Sequence, residues 1–480
     1  MRTCCRFWTA AALVSILAGA APEATAAKAS QTGYPRLMQG PMVGALAPTE
    51  VKVWVRTSGP YAVALEYDTD PGFSSPRRSE AVETVKADDY TGVITVTGLE
   101  PATEYFYRVI VDGIRDRYLK GLEPFRFETA PQPGAAADLR IAFGSCPKYQ
   151  DDRIQPIWPW VARYEPDILF WIGDNVYADT LDPDIIREEY RRQRDVPALQ
   201  PILHDISHLA VWDDHDYGLN NHDRTNPIKE GAYEAFLEYW ANPSYGLPQV
   251  RGIFFKYTWG QVEFFFLDDR WYRDPAEAPD EPGKTMLGSA QLEWLESELE
   301  ASDAVFKVLV SGSGFSVEKG PGGDSWAAYL HERDHLFDFI RDREITGVVL
   351  LSGDTHIGEL NVIPWSARGG YDYYDLVSSP LAQMTPDSWL ERRPERRIWP
   401  AFFQSSNFGL VDFHMDDEDP RLVFQLIDIH GRSAWGRFEL RASELANGVT
   451  SWPAKVHPIS RQRQENLEAE KGYYEVAVED

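Results

Sequence analysis

Cysteine is nearly absent from this chain. Three occur in 480 residues, and two of them, Cys4 and Cys5, lie in an N-terminal stretch patterned like a cleaved export signal. A mature chain would carry Cys146 alone, which excludes an intrachain disulfide. No run of about 18 uninterrupted apolar residues occurs, so the sequence offers no transmembrane segment. Positive charge is scarce: 47 Lys and Arg face 75 Asp and Glu, a formal charge of −28. Nothing basic and clustered is available to displace counterions from nucleic-acid phosphates, which excludes a nucleic-acid-binding role. The sequence has no internal repeat, and nothing in it sets an oligomeric state.

The N-terminus begins with Arg2 and Arg6, which are not adjacent. An apolar stretch from Trp8 to Ala20 comes next, then the small residues Ala24-Thr25-Ala26-Ala27. This order predicts a signal peptide over 1–27, with no lipobox cysteine, and export to the periplasm or beyond. A lone thiol in an oxidising compartment calls for a reason, and metal ligation is one. Hydrophobic residues at 43% and aromatics at 13% are enough for a large core.

The chain changes grammar near residue 132. From 33 to 132, short alternating segments such as Val51-Lys52-Val53-Trp54-Val55, Tyr105–Ile110 and Phe125-Arg126-Phe127-Glu128 are separated by turns such as Asp112-Gly113. That pattern predicts a small β-sandwich. The stretch Val96–Tyr105 resembles the late strands of fibronectin type III-like domains. Pro131–Ala137 reads as a linker. Beyond it, from 137 to 460, apolar runs are nearly continuous: Leu139–Phe143, Ile168–Ile172, Leu209–Trp212, Val262–Leu267, Val308–Val310 and Val348–Leu351. Such runs suit strands buried on both faces. Between them, Leu292, Leu295 and Leu299, then Leu336, Phe337 and Ile340, recur at helical spacing. The prediction is an α/β fold with helices covering a layered sheet. Residues 461–480 read as a charged tail or lid containing Tyr473 and Tyr474.

The chemistry lies at the ends of the apolar runs. They terminate in Gly144-Ser145-Cys146, Gly173-Asp174-Asn175-Val176-Tyr177, Asp213-Asp214-His215-Asp216, Asp268-Asp269-Arg270 and Gly353-Asp354-Thr355-His356. Ligands of α/β sheets bind outside the carboxyl ends of the strands. Asp174 and Asp354 offer oxygen, His356 nitrogen, Cys146 a thiolate and Tyr177 a phenolate. Thiolate and phenolate suit a trivalent iron-like ion, whereas carboxylates and amide oxygens suit calcium, magnesium or manganese. An aspartate can bridge two ions, and such a pair can activate water and neutralise a transferring phosphoryl group. His215 is placed to protonate a leaving oxygen, and Arg270 to hold a phosphate oxygen.

In that order, these motifs resemble the PhoD-like alkaline phosphatase/phosphodiesterase family of the calcineurin-like metallophosphoesterases. The resemblance covers most of the mature chain. It implies a four-layer α/β/β/α sandwich behind an N-terminal fibronectin-like domain, with small phosphate monoesters or diesters as substrates. It also implies Fe3+ with Ca2+ as cofactors, Zn2+ or Mn2+ being the alternatives. By the same resemblance Cys146, Tyr177 and His356 bind iron, Asp174 bridges, and Asp354 and Asn220 bind calcium. Asp213 and Asp214 are both candidates for the metal-facing carboxylate, and Asn221 rivals Asn220. Two other readings stand beside it: a metal-independent hydrolase with Cys146 as nucleophile and His215 as base, and a calcium-stapled binding protein without catalysis.

Overall fold

The computed structural model describes residues 34–116, 119–316, 323–385 and 397–466. The expected signal peptide lies outside the described residues, as does the tail from 467 on.

Nine strands come first: β1 (Leu37–Ala47), β2 (Glu50–Thr57), β3 (Ala62–Asp68), β4 (Arg77–Arg78), β5 (Val82–Glu83), β6 (Thr91–Thr97), β7 (Glu104–Val111), β8 (Ile114–Arg115) and β9 (Phe125–Glu128). One sheet runs β1-β2-β6 and the other β4-β3-β7-β8, with β5 and β9 pairing onto β3 and β7. All pairings are antiparallel. The alternation read in β2 buries Val51, Val53 and Val55, as a one-sided strand should. Trp54 points the other way and is buried too. Its indole Nε1 donates to the Glu238 carbonyl at 2.7 Å, so the second face of this strand is covered by the rest of the chain.

Residues 131–138 are irregular. The larger part then supplies β10 (Leu139–Gly144), β11 (Ile168–Ile172), β12 (Ser207–Val211), β13 (Phe255–Trp259), β14 (Val262–Phe266), β15 (Phe306–Ser311), β16 (Val348–Ser352), β17 (Glu359–Ile363), β18 (Tyr373–Val377), β19 (Asn407–His414), β20 (Arg421–Asp428) and β21 (Phe438–Arg441). They form two six-stranded sheets, ordered β12-β11-β10-β19-β20-β21 and β13-β14-β15-β16-β18-β17. Each sheet has a parallel heart, β10 to β12 in one and β14, β15, β16 and β18 in the other. Antiparallel strands complete the edges.

The sheets face each other through aromatic side chains. Phe170 of β11 meets Phe264 and Phe266 of β14 edge-on at 4.9 Å. Phe413 of β19 meets Phe264 and Phe306. Period-two alternation sends the intervening residues outward, onto helices α1 (Trp158–Tyr164), α2 (Pro183–Arg194), α3 (Gln200–Leu203), α4 (Asp214–Tyr217), α5 (Lys229–Tyr239), α6 (Ser289–Ala301) and α7 (Leu330–Asp342). Trp171 packs on Trp158 of α1, Phe265 on Trp294 of α6, and Tyr373 on Phe337 of α7. Burial of these strands on both faces explains the continuity of their apolar runs.

A polar clamp ties the first sandwich to this body. Asp89, just before β6, meets Arg56 at 3.1 Å and Arg191 of α2 at 2.5 Å, and accepts from the Tyr239 hydroxyl of α5. The Ala45 amide donates to the Ala241 carbonyl at 2.8 Å, and the Ser207 hydroxyl to the Gly44 carbonyl at 2.7 Å. Among the described residues no helix is long and apolar enough to cross a membrane.

Candidate metal centre

The parallel strands of both sheets end at one edge, and there the charged residues gather. β10 delivers Cys146, β11 Asp174, β12 Asp213 and Asp214, β14 Asp269 and Arg270, and β16 Asp354 and His356. Cys146, Asp174, Asp354 and His356 all adopt left-handed backbone, with φ between 50° and 62°. Non-glycine residues rarely do so, and such strain clusters at functional sites. It turns each side chain inward as its strand stops. The glycines before the aspartates let the two edges touch. A Cβ on Gly173 would lie 3.1 Å from Gly312 Cα, just past β15, and one on Gly353 only 2.3 Å from the Ile172 carbonyl oxygen.

The side chains make a chain of short contacts. Asp174 Oδ2 accepts from the Cys146 thiol at 3.4 Å and from the Tyr177 hydroxyl at 3.1 Å. The same hydroxyl lies 3.1 Å from His356 Nε2. Asp174 Oδ1 accepts from the His215 amide at 3.3 Å. Among the described residues, four sets of potential ligand atoms lie within 4.8 Å of one another: Cys146, Asp174 and His356; Asp174, Asp214 and His215; Asp174, Asp213 and Asp354; and Asp213, Asp214 and Asp324. Asp174 belongs to three of the four. One end of the cluster therefore offers sulfur, phenol and imidazole, and the other end oxygen alone.

The electrostatics fit cations. Burial pushes the Asp174 and Asp213 carboxyls well above the usual range, and their neighbouring carboxylates add to it. Burial, then Asp174 and Asp354, raise the Cys146 thiol. Burial also raises the Tyr177 hydroxyl. Asp213 Oδ2 and Asp214 Oδ1 are buried with no hydrogen-bond partner. A buried carboxylate oxygen left unpartnered is costly unless a cation meets it. The donor set and these orphaned oxygens fit bound metal ions.

His215, expected near the reaction, sits against Tyr177, with ring centroids 4.1 Å apart. Its Nδ1 lies 2.6 Å from Asp179 Oδ1, a partner the sequence does not announce. Burial opposes its charge, but Asp174, Asp214 and Asp179 outweigh this and raise it to about 10. Arg270 is placed differently from the phosphate-holding role expected of it. It is fully buried, with Nε on Asp213 at 2.5 Å and Nη2 on Asp324 at 2.7 Å. Its charge is taken up inside the cluster. Asn220 and Asn221 are both exposed in the loop after α4; Asn221 reaches the cluster through its backbone N–H, which donates to Asp214 Oδ2 at 2.6 Å.

Further residues complete the surroundings. Arg273 pairs with Asp324 behind Arg270. Asp216, raised by burial to about 7, accepts from the Asn175 and Asp213 amides and from the Tyr190 hydroxyl, tying the loops after β11 and β12 together. Gln383, past the end of β18, brings Nε2 within 2.5 Å of the Tyr177 hydroxyl and 2.8 Å of His356 Nε2. The thiol-nucleophile reading finds no support: Cys146 is buried, its thiol is pushed up, and its contacts are Asp174 and Ser145. A cleft of about 470 Å³ opens elsewhere, lined by Arg126, Asp167, Asp205 and Trp259. Asp167 and Asp205 precede β11 and β12, so that cleft sits at the amino ends of strands whose carboxyl ends build the centre.

Comparison with known proteins agrees with this fold. The sequence profile of the PhoD-like phosphatase family matches residues 141–396, and that of the PhoD-like phosphatase N-terminal domain matches residues 22–129. Alkaline phosphatase D of Bacillus subtilis (strain 168) is 25% identical over 315 residues, 55% of this chain and 52% of that protein. The chain thus matches about half the length of this curated relative. The solved structure of PhoD superposes with a TM-score of 0.69 at 19% identity, covering 85% of this chain and 91% of the other. Purple acid phosphatase PPD1 from yellow lupin (Lupinus luteus) superposes with a TM-score of 0.59 at 14% identity, covering 84% and 74%. With a family profile spanning more than half of its residues, the chain belongs to the PhoD-like phosphatase family.

Proposed function

We propose that this protein is an exported, metal-dependent phosphoesterase acting on small phosphate monoesters or diesters. The observation that carries the reading is Asp174, one carboxylate shared by three sets of ligand atoms whose donor chemistry differs from end to end. The sulfur, phenol and imidazole end, Cys146, Tyr177 and His356, suits iron; the carboxylate end, with Asp213, Asp214 and Asp354, suits calcium, with zinc or manganese as alternatives. When bound, such ions supply positive charge for phosphoryl oxygens and lower the pKa of water. The two face-to-face sheets with helices outside are read as a four-layer α/β/β/α sandwich, and the N-terminal sandwich as a fibronectin-like domain.

The chain's own residues do the rest. Asp179 holds the Nδ1 proton of His215, so Nε2 is the atom that hands a proton to the leaving oxygen. The carboxylates around His215 keep that proton in place until a leaving group develops charge. Arg270 and Arg273 neutralise Asp213 and Asp324 from behind and fix the Asp213 side chain. Gln383 bridges Tyr177 and His356 and orients both.

The reading is tested with protein purified without chelators, assayed on 4-nitrophenyl phosphate and bis(4-nitrophenyl) phosphate before and after chelation. Loss of turnover on chelation, restored by added metal, supports it. Full turnover in metal-free protein would refute it.

A further inference from the structure

Eleven large apolar side chains are exposed among the described residues. Scattered singly on a surface they need no explanation. Three of them are not scattered. Leu181, 49% exposed, lies two residues after Asp179, whose carboxylate holds His215. Leu219, 37% exposed, comes just after α4, which begins at Asp214. The Thr180 amide donates to the Gly218 carbonyl at 3.2 Å, which brings the segments bearing these two leucines side by side. Met384, 79% exposed, is next to Gln383, whose amide touches Tyr177 and His356. Contacts run without a break from one side to the other: Gln383 to Tyr177, the Tyr177 ring against the His215 ring, His215 to Asp179.

Loop tips beside a cluster of buried carboxylates, in a chain of charge −28, would ordinarily be polar. Leucine and methionine held open to water at three such tips offer apolar surface beside concentrated polar chemistry. Methionine adds an adaptable surface for groups of varied shape.

We propose that Leu181, Leu219 and Met384 form an apolar rim that seats the alkyl or aryl part of the substrate, so that the preferred esters join phosphate to an apolar alcohol. This rests on the phosphoesterase reading of the centre and adds the class of organic group to it. The rim grips what is esterified to phosphorus, leaving the phosphate itself to the metal centre.

The test uses the full-length, metal-loaded protein and two homologous series at concentrations below micelle formation. One is methyl to octyl phosphate, monitored by phosphate release; the other is 4-nitrophenyl alkyl phosphate diesters, monitored by nitrophenolate. Each methylene buried in the rim can raise kcat/KM by up to about fourfold, and partial burial predicts a rise of about tenfold from methyl to hexyl in the series the enzyme accepts. The triple variant Leu181→Ser, Leu219→Ser, Met384→Ser should flatten that rise and leave the methyl ester unchanged. Turnover with no dependence on chain length in the unaltered protein would overturn the rim alone. Failure to turn over any member of either series would overturn the phosphoesterase reading and the rim with it. A rise with chain length that survives the triple substitution would overturn the assignment to these residues. Chain-length independence together with a dimer that the variant dissolves would make the rim a contact between copies.

Discussion

Carboxylates at two places in this molecule meet opposite fates. Asp89, at the seam between the sandwich and the larger body, is surrounded by donors: Arg56, Arg191 and the Tyr239 hydroxyl. Burial raises its carboxyl, but these partners outweigh it and hold the carboxyl below the ordinary 3.8. At the carboxyl ends of the strands, Asp174 and Asp213 go the other way and are pushed well up, and Asp213 Oδ2 has no hydrogen-bond partner; Asp214 beside them is held down against burial by Arg270 and His215. Arg270 and Arg273 cover one side of that cluster only. A carboxylate that the chain itself satisfies is structural. One that the chain buries and leaves unsatisfied is built for a cation from outside.

If the two places differ in this way, removing the shared ligand should cost most. Asp174→Ala should abolish activity, by about a thousandfold or more, and lower the content of both kinds of metal, because one carboxylate serves both ends. Metal analysis and kcat on nitrophenyl esters check it; a variant that keeps its metals would end the bridging role. The next effect in size is expected at His215. His215→Ala should slow alkyl esters by about a hundredfold or more and nitrophenyl esters far less, since a good leaving group needs no proton. Equal losses on both classes would remove its role as acid.

Asp89→Ala should do the opposite of Asp174→Ala. It leaves two arginines at a mostly buried seam without their carboxylate, at a cost of about 1–3 kcal/mol after allowing for solvent screening. Thermal or urea unfolding should show the loss, with kcat and metal content unchanged. The effect on pH dependence is smaller still. Because the folded carboxyl of Asp89 lies below its unfolded value, its stabilisation is complete above pH 3.8 and is lost as pH falls through the lower, folded value. Asp89→Asn should make stability less steep in that acid range, and an unchanged slope would place the titration elsewhere.

The parts of the centre legible in the sequence are those carried by local patterns. A continuous apolar run leading into Gly-Asp or Asp-Asp-His states both a buried strand and what stands at its end. Cys146, Asp174, Asp213, Asp214, Asp354 and His356 are all visible in this way. The residues that escape depend on distant partners. Asp324 acts through Arg270 and Arg273, more than fifty residues away, and nothing around it marks it. Asp179 stands two residues after Tyr177, and only the fold sets it against His215. Arg270 reads as a free cation because sequence shows the charge and hides the two carboxylates that absorb it. β19 to β21 are hidden because β19 pairs back onto β10 and carries β20 and β21 with it; Arg140 of β10 meets Asp412 of β19 from the far end of the segment between them. Gln383 stands six residues past the end of β18, whereas Cys146, Asp174, Asp213 and Asp354 each stand two residues past theirs, so strand-end position does not mark it.

Whether the buried cluster holds two unlike ions is decided by elemental analysis of the intact protein beside Cys146→Ala, both purified without chelators. The expected result is about two or more ions per chain in the first, one of them iron, and selective loss of the iron in the variant with the carboxylate-bound ion retained. Active protein holding no metal, or a variant that keeps its full complement, would contradict the assignment of this cluster as a mixed-metal centre.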